Sequence, residues 1–477
     1  MWWLILLGAI VLFLMVIVLR ALRFRPGAEQ KAVPAPVAVD GEKAIADLQA
    51  MIRCKTVSYY QEGLADEAEF ERFRALLKTL YPRVHEACAP ERIGKSGLLY
   101  TLRGKSSDRP AVFMAHYDVV PANEALWDRP PFEAVIEDGM LWGRGTLDTK
   151  TTLCGVMEAA ETLLAEGFVP ENDLYFAFAG DEEIAGDTQP AIVETLRARG
   201  VVPALVLDEG GAVVENVFPG VAQPCALIGI GEKGMMNLRL SCAGAGGHAS
   251  APKPHTPVGV LADAVVKVEN HPFPRRLTKP VAKMFDTLGR RSSFAYRVIF
   301  ANLWCFLPLL DLICKRSGGE LNAMMRTTCA FTEMKGSSAN NVIPPEASVG
   351  ANLRLIGGET TDSAIAYVER AIGNPAVKAE FVQGMNPSKN SETRGYGWET
   401  VKRAVSETWP EAVVSPYLMV ACSDSRHYCA ISDNVYRFSA MALTAGERAT
   451  IHGNNERIPL DKIVRTVEFY LRLMKRC

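Results

Sequence analysis

The chain has 477 residues, more than one hydrophobic core holds, so two folded units and a tail are expected. Its 48% apolar and 22% charged residues are ordinary for a globular protein, and a net charge of −2 excludes the electrostatic footprint of a nucleic-acid binder. The 11 cysteines form no CxxC pair and several lie in apolar runs, which argues against a disulfide framework or zinc knuckle and for buried free thiols.

An uninterrupted apolar run from Trp2 to Leu19 is followed by Arg20, Arg23 and Arg25. It is just long enough to span a bilayer, and no basic residue precedes it and no small-residue cleavage site follows it, so residues 1–25 read as an uncleaved transmembrane anchor. Arginines on its C-terminal side place the catalytic part on the cytoplasmic face by the positive-inside rule. Residues 26–40, rich in Pro, Ala and Val, read as a flexible linker. A helical pattern covers Gly41 to Arg53. Then a strand (Ala111 to Ala115), a helix (Thr152 to Glu166), a strand (Leu174 to Ala179), a helix (Ala191 to Arg199) and a strand (Ala204 to Leu207) alternate. That alternation predicts an α/β layer with a sheet covered on both faces.

Strand-rich stretches at Ala226 to Leu240 and Met324 to Leu355 then flank a helix-prone stretch from Pro257 to Leu321, and alternation returns from Thr360. The expectation is a discontinuous catalytic domain, residues 41–226 and 357–477, interrupted by an α+β unit over 227–356. Within that unit Ile299 to Leu312 is strongly apolar but carries Asn302 and Asp311 and is too short to span a membrane. A buried helix is the expected reading, an apolar surface near substrate or membrane the other. Gly229 to Gly234 fits GxGxxG but leads into a second strand, so it is not a dinucleotide site.

Five clusters of acids or histidines close predicted strands or occupy glycine-rich turns. In Ala115-His116-Tyr117-Asp118, residues two apart face one side, so Asp118 can stand behind a metal-binding His116. The glycines of Gly143-Arg144-Gly145-Thr146-Leu147-Asp148 let the backbone bring Asp148 inward. Asp181-Glu182-Glu183 follows a buried strand, where consecutive acids are costly unless a cation neutralises them; adjacent side chains diverge, so one can bind metal while its neighbour faces water as a base. The others are Asp208-Glu209-Gly210-Gly211 and His452-Gly453-Asn454-Asn455-Glu456. Each alone matches an ordinary solvated turn or strand end. Together they stand where an α/β sheet places its ligand site, and imidazole with carboxylate suits zinc, cobalt or manganese better than magnesium.

The ordered set HYD, GRGTLDTK, GDEE, DEGG, GGHAS, NVIP and IHGNNE, within a match running from about residue 41 to the C-terminus, resembles the carboxypeptidase S, aminoacylase and glutamate carboxypeptidase family of dinuclear zinc metallopeptidases, nearest the carboxypeptidase S branch. The resemblance implies a zinc-exopeptidase catalytic domain with an inserted lid that often serves dimerisation, so a homodimer through the lid is expected. It implies His116, Asp148, Glu183, Asp208 and His452 as ligands of two divalent ions, Zn2+ first with Co2+ or Mn2+ as alternatives, and Asp148 bridging them. Glu182 would be the general base, Asp118 the partner of His116, and His248 of the lid an oxyanion donor. Asn341 and Arg354 would hold the substrate, Arg354 through a carboxylate, which a planar guanidinium grips with two hydrogen bonds. The implied activity is metal-dependent hydrolysis of an amide bond in small peptides or N-acyl amino acids with a free carboxylate. The alternative is a non-catalytic metal- or peptide-binding protein on the same fold, against which the retention of Glu182 argues. One departure stands out: where that branch has Gly-Gly before Thr-Asp-Ser-Arg, this chain has Ala421-Cys422 before Ser423-Asp424-Ser425-Arg426, side chains expected to narrow the pocket.

Overall fold

The computed structural model describes residues 2–27 and 34–477; part of the expected linker, residues 28–33, lies outside the described residues. The chain opens with α1 (Trp2–Arg23), apolar on every side and exposed except at Ile17 and Ala21. Its 22 residues qualify it, by length and composition, as a membrane span or a signal sequence. α2 (Gly41–Ile52) starts where the Asp40 side chain accepts from the Lys43 amide.

The segment before the expected insert supplies strands β1 (Glu91–Ile93), β2 (Gly97–Leu102) and β3 (Ser106–His116), helix α3 (Lys150–Ala165), and strands β4 (Asn172–Ala179), β5 (Leu205–Val214) and β6 (Cys225–Glu232). β7 (Gly234–Ala243) and helix α4 (Pro257–Asn270) begin a second unit. An excursion of four helices follows, α5 (Lys279–Gly289), α6 (Phe294–Phe300), α7 (Leu303–Ser317) and α8 (Gly319–Met325). Then come β8 (Thr328–Lys335), β9 (Glu346–Leu355), α9 (Thr361–Ile372) and β10 (Val377–Met385). The chain returns with β11 (Val413–Met419), β12 (Val435–Leu443) and α10 (Leu460–Met474).

The main sheet has eight strands in the order β1-β2-β4-β3-β5-β12-β6-β11. It is mixed: β3 runs parallel to β4 and β5, and β12 parallel to β5, while β2 is antiparallel to β4. Period-2 alternation divides each central strand between two cores. Ala111, Phe113 and Ala115 of β3 pack with Phe176 of β4 and Tyr470 of α10, whereas Val112 and Met114 pack with Tyr175, Ile192 and Leu196 on the other face. Fully burying each such Val, Leu or Phe contributes roughly 1.5–3 kcal/mol. Helices therefore cover both faces, as the sequence pattern predicts.

The second unit is a four-stranded antiparallel sheet, β8-β9-β7-β10, with α4 and α9 packed on it around Leu238, Leu261, Leu353 and Val368. Its limits differ from the expected 227–356. Residues 227–232 belong to β6 of the main sheet, and α9 and β10 extend the small unit to Met385, because β10 pairs with β7 and closes the edge that β7 would otherwise leave open. A second expectation is also corrected. The apolar stretch Ile299 to Leu312 is not a buried helix but the corner between α6 and α7, bent by 104°, with Trp304, Leu309 and Leu312 facing outward.

Candidate metal centre

The parallel pairing of β3 with β4 sets His116 opposite Ala179, so the two strand ends deliver His116 and the Asp181-Glu182-Glu183 turn side by side. Gly180 permits the turn: a Cβ there would come within 2.7 Å of the Tyr117 ring. His116 Nδ1 donates to the Asp118 carbonyl oxygen at 3.0 Å, with the Asp118 carboxylate 3.3 Å away. That leaves Nε2 facing Asp148 Oδ1 at 3.0 Å, Glu209 at 3.6 Å and Glu182 at 3.9 Å. The other Asp148 oxygen lies 2.9 Å from His452 Nε2, which is 3.1 Å from Glu183. The two imidazoles thus sit on opposite oxygens of one carboxylate, residues from strand ends and turns separated by more than 300 positions.

Buried groups outside this ring fix it. Asp118, inaccessible to solvent, accepts from Ser58 Oγ at 2.7 Å and from the amides of Glu182 and Glu183 at 3.2 and 3.1 Å, so one carboxylate orients both the imidazole and the acidic turn. Glu456 accepts from the amides of Gly145, Leu147 and Asp148 and pairs with Arg144 at 2.7 Å; Arg144 also donates to the Gly453 carbonyl at 2.8 Å. This network clamps the turn bearing Asp148 to the turn bearing His452. Gly145 needs its φ of 92°, a conformation that costs a side-chain-bearing residue.

Burial raises the Glu182 carboxyl well above the usual range, with the charges of Glu209, Asp424 and Glu183 adding to it and His116 opposing. Burial, and then Asp148, push Glu209 up to about 8. Asp424 is raised for the same reason, burial first and then Asp208. So many carboxyl groups gathered in one place repel unless positive charge is supplied. The residues fit that need: the ligand atoms of His116, Asp148 and Glu183, and those of His116, Glu182 and Glu209, each lie within 4.8 Å of one another. Glu183 also keeps one buried oxygen without a hydrogen-bond partner.

Not every expected residue joins them. Asp208 is buried, but its Oδ2 accepts from the Ser425 amide at 3.0 Å, and its neighbour Glu209 is the one that reaches His116. His248 and Asn341 lie exposed on a small ribbon of the second unit, Gly247–His248 paired with Val342–Ile343. There His248 Nδ1 bonds Ser250, and the Asn341 carbonyl accepts from Ala249. Arg354 on β9 meets the catalytic unit at the seam, 3.6 Å from Cys422 Sγ, held by Asn352 at 3.2 Å. Cys422 thus stands where the sequence departs from Gly-Gly, beside the expected carboxylate clamp. Sequence reading assigned no role to Ser58, Arg144, Glu209, Asp424 or Glu456, although Arg144, Glu209 and Glu456 lie inside its motifs.

A mixed α/β sheet whose strand ends gather two histidines around one aspartate, with a half-buried glutamate facing the same space, defines a metal-dependent hydrolase. The chain belongs to peptidase family M20/M25/M40, whose model matches residues 112–476. It is 33% identical over 476 residues to a probable carboxypeptidase S-like 2 of Dictyostelium discoideum, covering 97% of this chain and 91% of that one. It is 35% identical over 436 residues to the N-fatty-acyl-amino acid synthase/hydrolase PM20D1 of Xenopus tropicalis, covering 90% and 84%. Among solved structures, the M20 family metallo-carboxypeptidase Sso-CP2 of Sulfolobus solfataricus shares the fold with a TM-score of 0.67 at 16% identity, covering 91% and 98% of the two chains. The chain is therefore a metallo-hydrolase of amide bonds.

Proposed function

We propose that this enzyme cleaves the amide bond of N-acyl amino acids or short peptides that end in a free carboxylate, with a long acyl chain the favoured acid part. The observation that carries the reading is the sharing of Asp148 between His116 and His452 with Glu182 beside them. His116, Asp148, Glu183, Glu209 and His452 would hold two divalent ions, Zn2+ first, with Glu209 in the place expected of Asp208. When bound, such ions polarise a carbonyl and acidify water. Glu182 takes the proton of the attacking water and passes it to the leaving nitrogen. Arg354 receives the substrate carboxylate at the seam, and Cys422 narrows the space around it. His248 and Asn341 reach the substrate when the small unit closes as a lid, His248 donating to the oxyanion.

Support for the acyl chain comes from the relative named above for N-fatty-acyl amino acids and from α1, which we read as a membrane anchor with the catalytic unit on the cytoplasmic side. The absence of disulfides among 11 free cysteines fits a reducing compartment. A homodimer through the lid belongs to the same reading: β10 is an edge strand, and it exposes Phe381 and Val382. The test is a panel of long-chain N-acyl amino acids and N-blocked dipeptides, assayed with zinc, cobalt or manganese. Turnover that requires the free carboxylate is expected; equal turnover of the carboxamide analogues would overturn the assignment of Arg354.

A further inference from the structure

We propose that the α6–α7 corner is a second membrane-seating element, inserted into the lipid interface beside α1. The inference rests on the reading of α1 as an anchor and adds a surface that reading does not require. α7 has its polarity reversed for a helix facing water. Trp304, Pro308, Leu309, Leu312 and Ile313 recur at helical spacing on the outer side, with Trp304 60% and Ile313 53% exposed. The carboxylate of Asp311, 5% exposed, points inward to Arg326, with Arg275 at 3.2 Å. A helix that hides its acid and shows its apolar side chains is built for an apolar medium.

The position of α1 says which medium. Asn302, fully buried at the corner, donates to the Ile17 carbonyl at 3.1 Å; Arg20 donates to the Ala301 carbonyl at 3.0 Å; and Phe13 meets Trp304 edge to face with ring centroids 5.9 Å apart. Phe13 precedes Arg20 by about two turns, ~10 Å of helix axis. If α1 crosses a bilayer with Arg20 and Arg23 at the headgroups, Trp304 stands below headgroup level, in the hydrocarbon boundary. Phe294 and Tyr296 of α6 are also exposed, and Lys315 and Arg316 end α7, the aromatic and basic side chains suited to the interface. The helix that follows, α8, abuts the catalytic seam. Glu320 of α8 accepts from Tyr417 at 2.8 Å and lies 3.9 Å from Arg448 on the segment leading to His452, while the Ala323 and Arg326 carbonyls hold Lys233. Seating α7 in lipid therefore sets the seam against the bilayer, the phase in which an acyl chain resides.

The experiment uses the full chain in vesicles of phosphatidylcholine and phosphatidylglycerol, with a photoreactive amino acid placed singly at Ile10, Leu309, Ile313 or, as control, the exposed Val169. After illumination, adducts are identified by mass. The expected result is lipid adducts at Leu309 and Ile313 comparable with Ile10 and several-fold above Val169. Adducts at Ile10 with only background at Leu309 and Ile313 would sink the proposal and leave the anchor standing. Background at Ile10 as well would remove both. Protein–protein adducts at Leu309 in place of lipid would assign the face to a second copy and overturn the lipid reading.

Discussion

Glu182 and Glu183 are neighbours whose oxygens go to different places: Glu183 to His452, Glu182 toward His116 and the open space beside it. Replacing Glu182 by Gln keeps the shape and removes the proposed base. Metal content should stay at the wild-type level while kcat falls on the order of 10²–10⁴-fold, read by metal analysis and steady-state kinetics. Arg354→Lys keeps the charge but loses the planar fork, so KM should rise more than kcat falls. Lys233 offers a pH test. Burial, and then the charge of Arg354, lower its amine to about 7 from an ordinary 10.5. Below about 7 both folded and unfolded chains carry the proton and the cost of burying it is complete; as pH rises from 7 towards 10.5 the folded chain alone has released it, so stability climbs. Denaturant titrations across that window should show the climb in the wild type and a flatter profile in Lys233→Met.

The elements around the site show what the sequence made legible. His116 and the acidic turn were readable because they terminate apolar strands that pair in parallel, and parallel neighbours end on the same side. Alternation alone does not say which of Asp208 and Glu209 faces the cluster, because the β5–β12 register slips between Asp208 and Gly211; Asp208 is expected there from the family resemblance. The second unit's far limit was hidden for a related reason, since α9 and β10 continue the same strand and helix texture as the catalytic segment that follows. The outward face of Ile299 to Leu312 was equally unreadable, because an apolar helix looks alike whether protein or lipid covers it. Glu456 is the element-scale prediction. Glu456→Gln withdraws the charge from three amides and Arg144, loosening the clamp between two turns. Metal affinity should drop about 10–100-fold with the strand-borne ligands intact, measured by competition with a chelating dye.

Across the whole molecule, ions held at this site would join chain segments that are far apart in sequence, and so would act as cross-links as well as reagents. Chelation should lower the melting temperature and zinc should restore it; saturation at 100 times Kd is worth about 2.7 kcal/mol. An unchanged melting curve after verified metal loss would contradict this. The strand order carries a further consequence. β12 lies between β5 and β6, which are made some two hundred residues before it. The middle of the sheet thus has an unfilled slot until β12 leaves the ribosome, and only after it does His452 arrive. Non-local pairing of this kind is slow to form and leaves strand edges bare meanwhile. If α1 holds the nascent chain at the bilayer, that chain waits apart from its siblings, and tethering would also serve as protection against clumping during assembly.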